Sequence, residues 1–472
     1  MARVRTSCRC GAGGPAPCGG RKRGLQAQIA AEVAAEITRL IGDEQELTEL
    51  DVALRQRALA LAARVLERYL NADTSDHAGP LAPCACGQQA RYVGRREKAV
   101  MTVLGQVRLE RAYYHCTACG AGFFPRDREL GIEGGSLSPG VARMVGLVGA
   151  ATSFQEGSTL LRELAGVEVG AKRVERGAKR LGCEIAAMER ADTAPEIGRP
   201  VPPTLYVGFD GTGLPMRADE VAGRSGKQPD GSARTREVKL CVVWSAEGRD
   251  AEGRPVRDPG SVTYTAAIES AATRDTDEEV SQFARRAQRE GARRRFERAR
   301  RRVVLGDGAP WIWSLAGEQF PGAVEIVDLF HAKQHLSELA VVLWGADQKA
   351  CPWWLPRRMA ELEAGDIEAL VAAITRHAGH SEEARKAAAY FHENRERMRY
   401  AAFRQAGLCT STGVVEAACK HTIGTRLKRP GMHWSVDGAN AITALRCAVL
   451  SQRFNRALDQ HLRRHRSNRQ AA

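Results

Sequence analysis

Three acidic residues lie where a protein could build a catalytic metal site. Asp210 and Asp307 each end an apolar run that predicts a buried strand, and each is followed by a glycine. A buried strand rarely carries an acid unless the acid is paired or holds a cation. Asp210 is therefore predicted to be the first ligand of a divalent metal ion.

A pair of neighbouring carboxylates favours one kind of chemistry. Two such groups repel each other unless a cation lies between them, and two-metal phosphodiester cleavage uses them with metal ions about 3.5–4 Å apart. Glu416, on the first turns of a later predicted helix, is the candidate for the third ligand. Plainer interpretations remain open, since an aspartate at a strand end is often a turn former and Glu416 could complement the positive end of its helix.

The elements that would position the acids follow a β-β-β-α-β-α-β order. The predicted strands cover 204–210, 237–244, 260–267, 303–308 and 323–328, with a helix over 277–302. This order matches a ribonuclease-H-like sheet, in which the first and fourth strands are neighbours and would bring Asp210 beside Asp307. The predicted fold class is α/β: a ribonuclease-H-like mixed-sheet core over 204–335 and 406–455, with an all-helical insertion over 336–405.

Two cysteine pairs predict a zinc ribbon over 80–130. Cys84 and Cys86 precede a β-hairpin that turns near Gly105, and Cys116 and Cys119 follow it. Four thiolates would hold a structural Zn²⁺ with no open coordination position, although the first pair is one residue shorter than C-x-x-C and buried free thiols are the alternative. Six further cysteines are predicted to be core thiols: Cys183, Cys241, Cys351, Cys409, Cys419 and Cys447.

A basic balance favours a polyanionic partner. The 472 residues carry a net charge of +14, so release of counterions from nucleic acid and simple solubility are both open interpretations. A predicted helical DNA-binding region covers 136–192, where one helix resembles the second helix of a helix-turn-helix and could equally be a solvated face. The predicted phosphate contacts are Lys172, Arg173, Arg176, Lys420, Arg426, Lys428, Arg429 and the arginines of 293–302, while Trp434 would stack on a base or lie in the core.

The remaining segments frame these regions. Residues 1–24 predict a disordered basic arm, 25–75 a helical region that is either an oligomerisation or DNA-contacting element or a cap on the protein itself, and 456–472 a basic tail. No secretory signal and no apolar run of membrane-spanning length is present. These features predict a cytoplasmic protein with reduced thiols and no membrane partner.

Several motifs together resemble a known family. These are Asp210-Gly211-Thr212, Asp307-Gly308-Ala309, Asp328-Leu329-Phe330-His331, and the stretches 411–417 and 424–434. From about residue 80 to 455 the chain is similar to prokaryotic insertion-sequence transposases, most closely the ISKra group, which is related to the Mutator-like transposases. The resemblance implies an Asp-Asp-Glu triad of Asp210, Asp307 and Glu416 that holds Mg²⁺ or Mn²⁺. It also implies an accessory Asp-x-x-His pair, Asp328 and His331, that either orients a DNA end or bonds structurally.

The resemblance also implies a function. Such a protein would bind the terminal inverted repeats of its mobile element, cleave the strand and join it to target DNA, acting as a homodimer or larger assembly on nucleoid DNA. Two alternatives remain open. One is a zinc-ribbon DNA-binding protein with an inactive catalytic domain, and the other is a ribonuclease-H-like nuclease.

Overall fold

The computed structural model of the chain describes residues 47–467 apart from 197, 227, 272–279, 346–350 and 412, together with isolated residues between 31 and 38. The predicted arm over 1–24 lies outside the described residues. The chain forms two compact units, one comprising residues up to 141 with 162–168 and the end of the chain from 465, the other comprising 142–161 and 169–464.

The first unit is built on an antiparallel sheet. Its strands are β1 (Leu81–Pro83), β2 (Gln89–Thr102), β3 (Gly105–His115) and β4 (Gly122–Phe123), in the order β1-β2-β3-β4. The hairpin turns between Thr102 and Gly105, where the sequence predicted it. Helix α1 (Leu47–Ala72) buries Ala63 against Val100 and Val107 of this hairpin, because removing apolar surface from water is favourable. A short helix, α2 (Pro125–Leu130), follows the sheet.

A mixed five-stranded sheet forms the centre of the second unit. Its strands are β5 (Thr204–Pro215), β6 (Thr235–Trp244), β9 (Thr263–Ala267), β10 (Arg301–Gly306) and β11 (Val324–Val327), and a small hairpin, β7 (Gly248–Arg249) and β8 (Pro255–Val256), follows β6. The spatial order is β11-β10-β5-β6-β9. Strands β5, β6 and β9 are antiparallel neighbours, whereas β10 pairs in parallel with both β5 and β11. These strands are buried on both faces of the sheet, which explains the apolar runs in the sequence.

Helices surround this sheet and form the insertion. They are α3 (Pro139–Ala151), α4 (Phe154–Ala165), α5 (Ala171–Ala191), α6 (Gln282–Arg293), α7 (Pro310–Gln319), α8 (Leu329–Trp344), α9 (Trp354–Ala364), α10 (Ile367–Thr375), α11 (Glu382–Glu393), α12 (Tyr400–Gln405), α13 (Gly413–Cys419), a π-helical turn (Lys420–Gly424), α14 (Thr425–Leu427), α15 (Val436–Leu450) and α16 (Phe454–Ser467). In the described residues between β11 and α13 the chain is helical or irregular, without a strand. The predicted basic tail is thus a helix over most of its length.

The predicted helix over 277–302 is shorter than expected. It ends at Arg293, and Arg295 takes a left-handed backbone conformation with φ of 56°. The chain then turns so that Phe296 is buried, with 1% exposure. The prediction was wrong here because it extended the helix through the run of arginines and did not allow for the burial of Phe296, which requires the chain to turn.

A buried ionic network joins α6 to Arg453, the residue that precedes α16, within the second unit. Glu290 is fully buried. Its carboxylate accepts hydrogen bonds from both Arg453 guanidinium nitrogens at 2.7 and 2.8 Å, from Arg293 at 3.2 Å and from Thr263 at 2.6 Å. Such a group is tolerated inside a protein only when its oxygens are paired in this way.

In the part of the chain that the structure describes, none of the helices has both the length and the apolar content needed to cross a bilayer.

Candidate functional site

Asp210 and Asp307 lie at the same end of two paired strands. In the parallel pairing of β5 with β10, Leu305 lies opposite Gly208, and each aspartate follows two residues later. Each carboxylate also bonds locally. Asp210 Oδ1 accepts the Gly211 N–H at 2.7 Å, and Asp307 Oδ1 accepts the Ala309 N–H at 2.9 Å. The predicted neighbour relation of these two strands is present in the structure.

The pKa of Asp210 is raised, and Asp307 is one of the causes. Burial raises the pKa of Asp210, and the charge of Asp307 raises it further, while hydrogen bonds from the Cys419 thiol and the Gly211 amide act in the opposite direction. The pKa remains above the ordinary value for an aspartate. Burial is the larger cause, and the nearby Asp307 carboxylate acts in the same direction because two like charges repel each other.

Asp328 and His331 lie next to this pair. The Asp328 N–H donates to the Gly306 carbonyl at 2.8 Å. The Asp328 side chain is buried and caps α8, with Oδ1 accepting the His331 N–H at 2.9 Å. His331 Nδ1 lies 3.4 Å from the same oxygen. Asp328 is the main cause that raises the pKa of His331, and Asp307 and Asp210 contribute to the same effect.

Helix α13, which carries Glu416, packs directly on β5. A Cβ atom added at Gly208 would lie 2.3 Å from Val415 Cγ2, so a glycine is required where the helix meets the strand. On the same helix the Cys419 thiol lies close enough to the Asp210 carboxylate that each group shifts the pKa of the other. Glu416 lies three residues before Cys419 on this helix.

The Glu416 carboxylate does not join the aspartates in this structure. Its side chain is 58% exposed, and Oε1 accepts a hydrogen bond from Lys420 Nζ at 2.7 Å. Among the described residues, only the four cysteines of the first unit form a set of three or more potential ligands whose atoms all lie within 4.8 Å of one another. Helix α13 thus packs on the strand that carries Asp210, but the carboxylates of Asp210, Asp307 and Glu416 do not form a set of metal ligands in this structure.

Two contacts at this site were not anticipated from the sequence. Cys419 was predicted to be an ordinary core thiol, although its position three residues after Glu416 on a helix was a usable signal. Tyr390, from α11 of the insertion, donates its hydroxyl to the Asp307 carbonyl at 2.9 Å. A Cβ at Gly308 would lie 2.5 Å from the Tyr390 ring, so the insertion packs against the turn that holds Asp307.

The structure contradicts several predicted phosphate contacts. Arg426 is fully buried, its Nε donates to the Gly149 carbonyl at 2.8 Å, and its guanidinium lies over the Phe154 and Trp434 rings. Burial lowers the pKa of Arg426 to about 10. Trp434 is buried as well, its indole N–H donating to the Leu427 carbonyl at 2.9 Å. Both residues therefore belong to the core.

The arginines of 293–302 are also largely structural. Arg293 and Arg294 are buried and donate to backbone carbonyls, Arg293 to that of Asp192 and Arg294 to that of Ser261. Arg301 donates to Thr204 Oγ1 at 2.9 Å. These side chains tie α6 and β10 to their neighbours and are not free to bind phosphate.

The remaining predicted contacts lie nearer the surface. Lys172, Arg176, Lys420 and Lys428 are exposed, whereas Arg173 and Arg429 are half-buried. Lys428 donates to Thr212 Oγ1 and Arg429 pairs with Glu156. Of this group, Lys172 and Arg176 are the most readily available for a polyanion, and their role stays a prediction.

The four cysteines of the first unit form a compact cluster. Cys84 Sγ lies 3.6 Å from Cys119 Sγ, and Cys86 Sγ lies 3.7 Å from Cys116 Sγ. A tetrahedral zinc site with Zn–S bonds of about 2.3 Å has sulfur separations of about 3.8 Å, so the cluster could hold a structural ion such as zinc. The short first pair does not prevent this clustering.

Turn geometry supports the cluster. Each pair is followed by a glycine with a left-handed backbone, Gly87 with φ of 84° and Gly120 with φ of 73°, a conformation that glycine adopts at little cost. The backbone N–H of Cys119 is the main cause that lowers the pKa of Cys116 to about 7. The pKa of Cys119 is raised in turn, to about 12, in part by the other three cysteines. Metal ligation needs the thiolate, so Cys116 is the cysteine of this turn that loses its proton first.

Of the six cysteines predicted to be core thiols, four are buried: Cys241, Cys351, Cys419 and Cys447. Cys409 has intermediate exposure, and Cys183 is exposed, so the prediction for Cys183 was wrong. Cys183 lies on the amphipathic helix α5, whose apolar face is formed by other positions.

The fold and the two sites define an α/β protein whose mixed sheet carries a pair of carboxylates, with a separate cysteine-cluster unit. The match to a family model over residues 46–461 shows that the chain belongs to the uncharacterised protein family UPF0236. The chain matches none of the curated proteins with which it was compared.

Proposed function

We propose that this protein is an Asp-Asp-Glu DNA transposase of the ISKra type, which binds the terminal inverted repeats of an insertion sequence and catalyses strand cleavage and strand transfer. The parallel pairing of β5 with β10 carries the proposal, because Asp210 and Asp307 each follow the last paired residues by two positions. The proposed partners are the element ends and target DNA, bound by a homodimer or larger assembly in the bacterial nucleoid.

The topology supports a ribonuclease-H-like core. The strand order is β11-β10-β5-β6-β9. Strand β6 is antiparallel to its neighbours β5 and β9, and β10 is parallel to its neighbours β5 and β11. This is the arrangement expected for that fold. The helical segments between β11 and α13 agree with an insertion between the second aspartate and the glutamate. The argument from fold to function remains one of analogy, so it needs the site chemistry as well.

The donor set fits a hard divalent cation. Carboxylate oxygens are the ligands that Mg²⁺ and Mn²⁺ prefer. Two adjacent half-buried aspartates favour cation binding, and among the described residues neither forms an ion pair with a lysine or arginine. Asp210, Asp307 and Glu416 would hold the ions, with Glu416 turning away from Lys420. Bound ions of this kind activate the attacking oxygen and stabilise the leaving one.

The chain's own groups would prepare the site. Cys419 and Gly211 restrain the Asp210 carboxylate, and Tyr390 fixes the turn that follows Asp307. His331, held by Asp328, places a protonatable group beside the reacting region. Once Glu416 leaves it, Lys420 becomes a free cation at the edge of the site and would bind a DNA phosphate.

The direct test is strand cleavage with duplexes that carry the element ends. Asp210→Asn and Asp307→Asn should each abolish Mg²⁺-dependent cleavage and keep DNA binding, because the change removes charge while preserving shape. Asp366→Asn is the matched control, since that carboxylate lies in the insertion and makes no side-chain cap. If Asp210→Asn cleaves like wild type, the triad assignment is wrong.

The same assay separates the alternatives. Cleavage followed by joining to target DNA supports a transposase. Cleavage without joining and without preference for the element ends would indicate a nuclease, and DNA binding by the wild-type protein with no cleavage in Mg²⁺ or Mn²⁺ would indicate an inactive catalytic domain.

A further inference from the structure

A cavity of about 740 Å³ lies at the outer end of the β5–β6 hairpin. Its walls come from the segment that joins the two strands and from one residue near α15. The residues that matter here are Met216, Val221, Ala222, Arg224, Arg234 and His433. Its volume is within the range of small-ligand sites.

The cavity is held in place by backbone bonding to β5. The Trp434 N–H donates to the Pro215 carbonyl at 3.2 Å, and the Arg217 N–H donates to the Trp434 carbonyl at 2.9 Å. This pairing extends the edge of the strand and brings exposed His433 to the cavity. Met216 and Val221 are buried, with exposures of 3% and 9%, and give the cavity an apolar floor.

The joining segment is itself a packed hairpin. The Gly226 N–H donates to the Gly231 carbonyl at 2.8 Å, and the Ala233 N–H donates to the Arg224 carbonyl at 3.1 Å. A Cβ at Gly226 would lie 2.4 Å from the Ala233 Cα, so the two chain segments approach each other closely. The cavity wall is therefore a defined element.

The polar side of the cavity is cationic. Arg224 and Arg234 are exposed and line it, and Arg236 lies close enough to Arg224 for that charge, after burial, to lower the pKa of Arg236. Within the described part of the chain, none of these three guanidinium groups has an ion-pair or side-chain hydrogen-bond partner. The nearby acids are partly engaged, since Glu220 accepts the Val436 N–H and Asp230 bonds Ser232.

The cavity shares a strand with the candidate active site. Pro215 follows Asp210 by five residues on β5, which corresponds to about 17 Å along a strand. That distance is the rise of about five base pairs of duplex DNA. A DNA strand engaged at Asp210 could therefore extend to the cavity.

We infer that this cavity is a nucleotide subsite for the DNA strand that enters the candidate active site. Arg224 and Arg234 bind backbone phosphates, and the apolar floor of Met216 and Val221 receives an unstacked base. Unpartnered guanidinium groups beside apolar surface match both parts of a nucleotide. The inference rests on the proposed function, because the ligand is that site's DNA substrate.

The test measures DNA binding in EDTA, so that it does not depend on cleavage. The probe is a fluorescent duplex with a short single-stranded 3′ extension, titrated with full-length protein over a range of salt. Arg224→Gln/Arg234→Gln should weaken binding about tenfold and reduce the slope of log K against log salt by about 1.5, because two phosphate contacts are lost. The matched control is Arg257→Gln/Arg376→Gln, which removes two exposed arginines elsewhere and should change the slope little.

A third variant tests the cavity apart from its charge. Ala222→Leu fills part of the volume, so it should weaken binding of the extended duplex while a blunt duplex and the salt slope stay as in wild type. Equal effects of the two double variants would overturn the inference and leave the proposed function intact. Tighter binding of an RNA duplex of the same sequence would also overturn it. If the binding results are as expected but the wild-type protein does not cleave DNA, the proposed function is overturned instead.

Discussion

At the scale of single residues, Cys419 connects the candidate ligands. Its thiol lies close enough to the Asp210 carboxylate to affect that group's pKa, and it is on the helix that also carries Glu416. Burial and the carboxylate charge both raise the pKa of this thiol, with burial the larger cause. We expect Cys419 to act as a hydrogen-bond donor that orients Asp210.

Replacing this donor tests its positioning role. Cys419→Val should raise the Mg²⁺ concentration needed for half-maximal cleavage by about ten- to hundredfold, because a hydrogen bond to a charged group is worth about 1.5–3 kcal/mol. Cys419→Ser keeps a donor and should stay close to wild type. Cleavage rate is measured against Mg²⁺ concentration; equal metal dependence of the Val and Ser variants would argue against the role.

The sequence predicted which strands carry the two aspartates side by side, but it did not predict which arginines are buried. Asp210 and Asp307 could be paired from the sequence because each ends an apolar strand, and strand order predicts neighbours. Arg426 lies in a basic run that looks exposed, and its burial depends on Gly149, Phe154 and Trp434 from other parts of the chain. Local pattern contains no information about such long-range partners.

At the scale of elements, the contact between β5 and α13 sets the position of Glu416. Gly208 allows this contact, since any side chain there would collide with Val415 and with the Trp244 ring, 2.9 Å away. The location of Glu416 on the first turns of a helix could be predicted from the sequence. Its present pairing with Lys420 could not, because the choice of partner depends on a side-chain rotation that helix periodicity does not fix.

Gly208→Ala should displace α13 and reduce cleavage about tenfold or more, since misplacement of a catalytic group by about 1 Å can cost about a hundredfold. Adding Val415→Ala should recover part of the activity by removing the colliding methyl group. Gly317→Ala is the control, as a Cβ there meets no atom within 4 Å. Wild-type cleavage rates in the Gly208→Ala protein would show that the helix position is unimportant.

Metal binding by the cysteine cluster of the first unit can be tested independently of DNA cleavage. Cys86→Ser should lose about one equivalent of bound zinc, and chelation should lower the thermal stability of the wild-type protein, because metal-binding energy contributes to folding energy. Cys183→Ser changes an exposed thiol outside the cluster and should retain the metal. Zinc content by metal analysis and unfolding temperature check the prediction; a metal-free wild-type protein of unchanged stability would contradict it.

At the scale of the whole molecule, the buried network around Glu290 predicts sensitivity to acid. Burial alone would raise the pKa of Glu290, but Arg453, Arg293 and Thr263 together lower it from 4.5 to about 2. The folded state therefore binds fewer protons than the unfolded state in this interval. The stabilisation is complete above pH 4.5 and is lost as the pH falls towards 2.

Urea unfolding at several pH values checks this prediction. Arg453→Met should cost about 3–5 kcal/mol near neutral pH, because it leaves a buried carboxylate without its main partner. The difference from wild type should shrink as the pH falls below 4.5 and Glu290 becomes protonated. Arg456→Met, which alters an exposed arginine three residues later in the chain, is the control. A difference that does not vary with pH would contradict the assignment.

The order of strands and helices along the chain also has a consequence for biosynthesis. Strands β5 and β10 are complete once residue 306 has been made, whereas Glu416 follows Asp307 by 416 − 307 = 109 residues. At about 5–20 residues per second, a ribosome needs roughly 5–20 seconds to span that interval. During this time the nascent chain contains both aspartates and lacks the third acid, so a DNA-cutting site of the proposed kind would stay incomplete until Glu416 has been added.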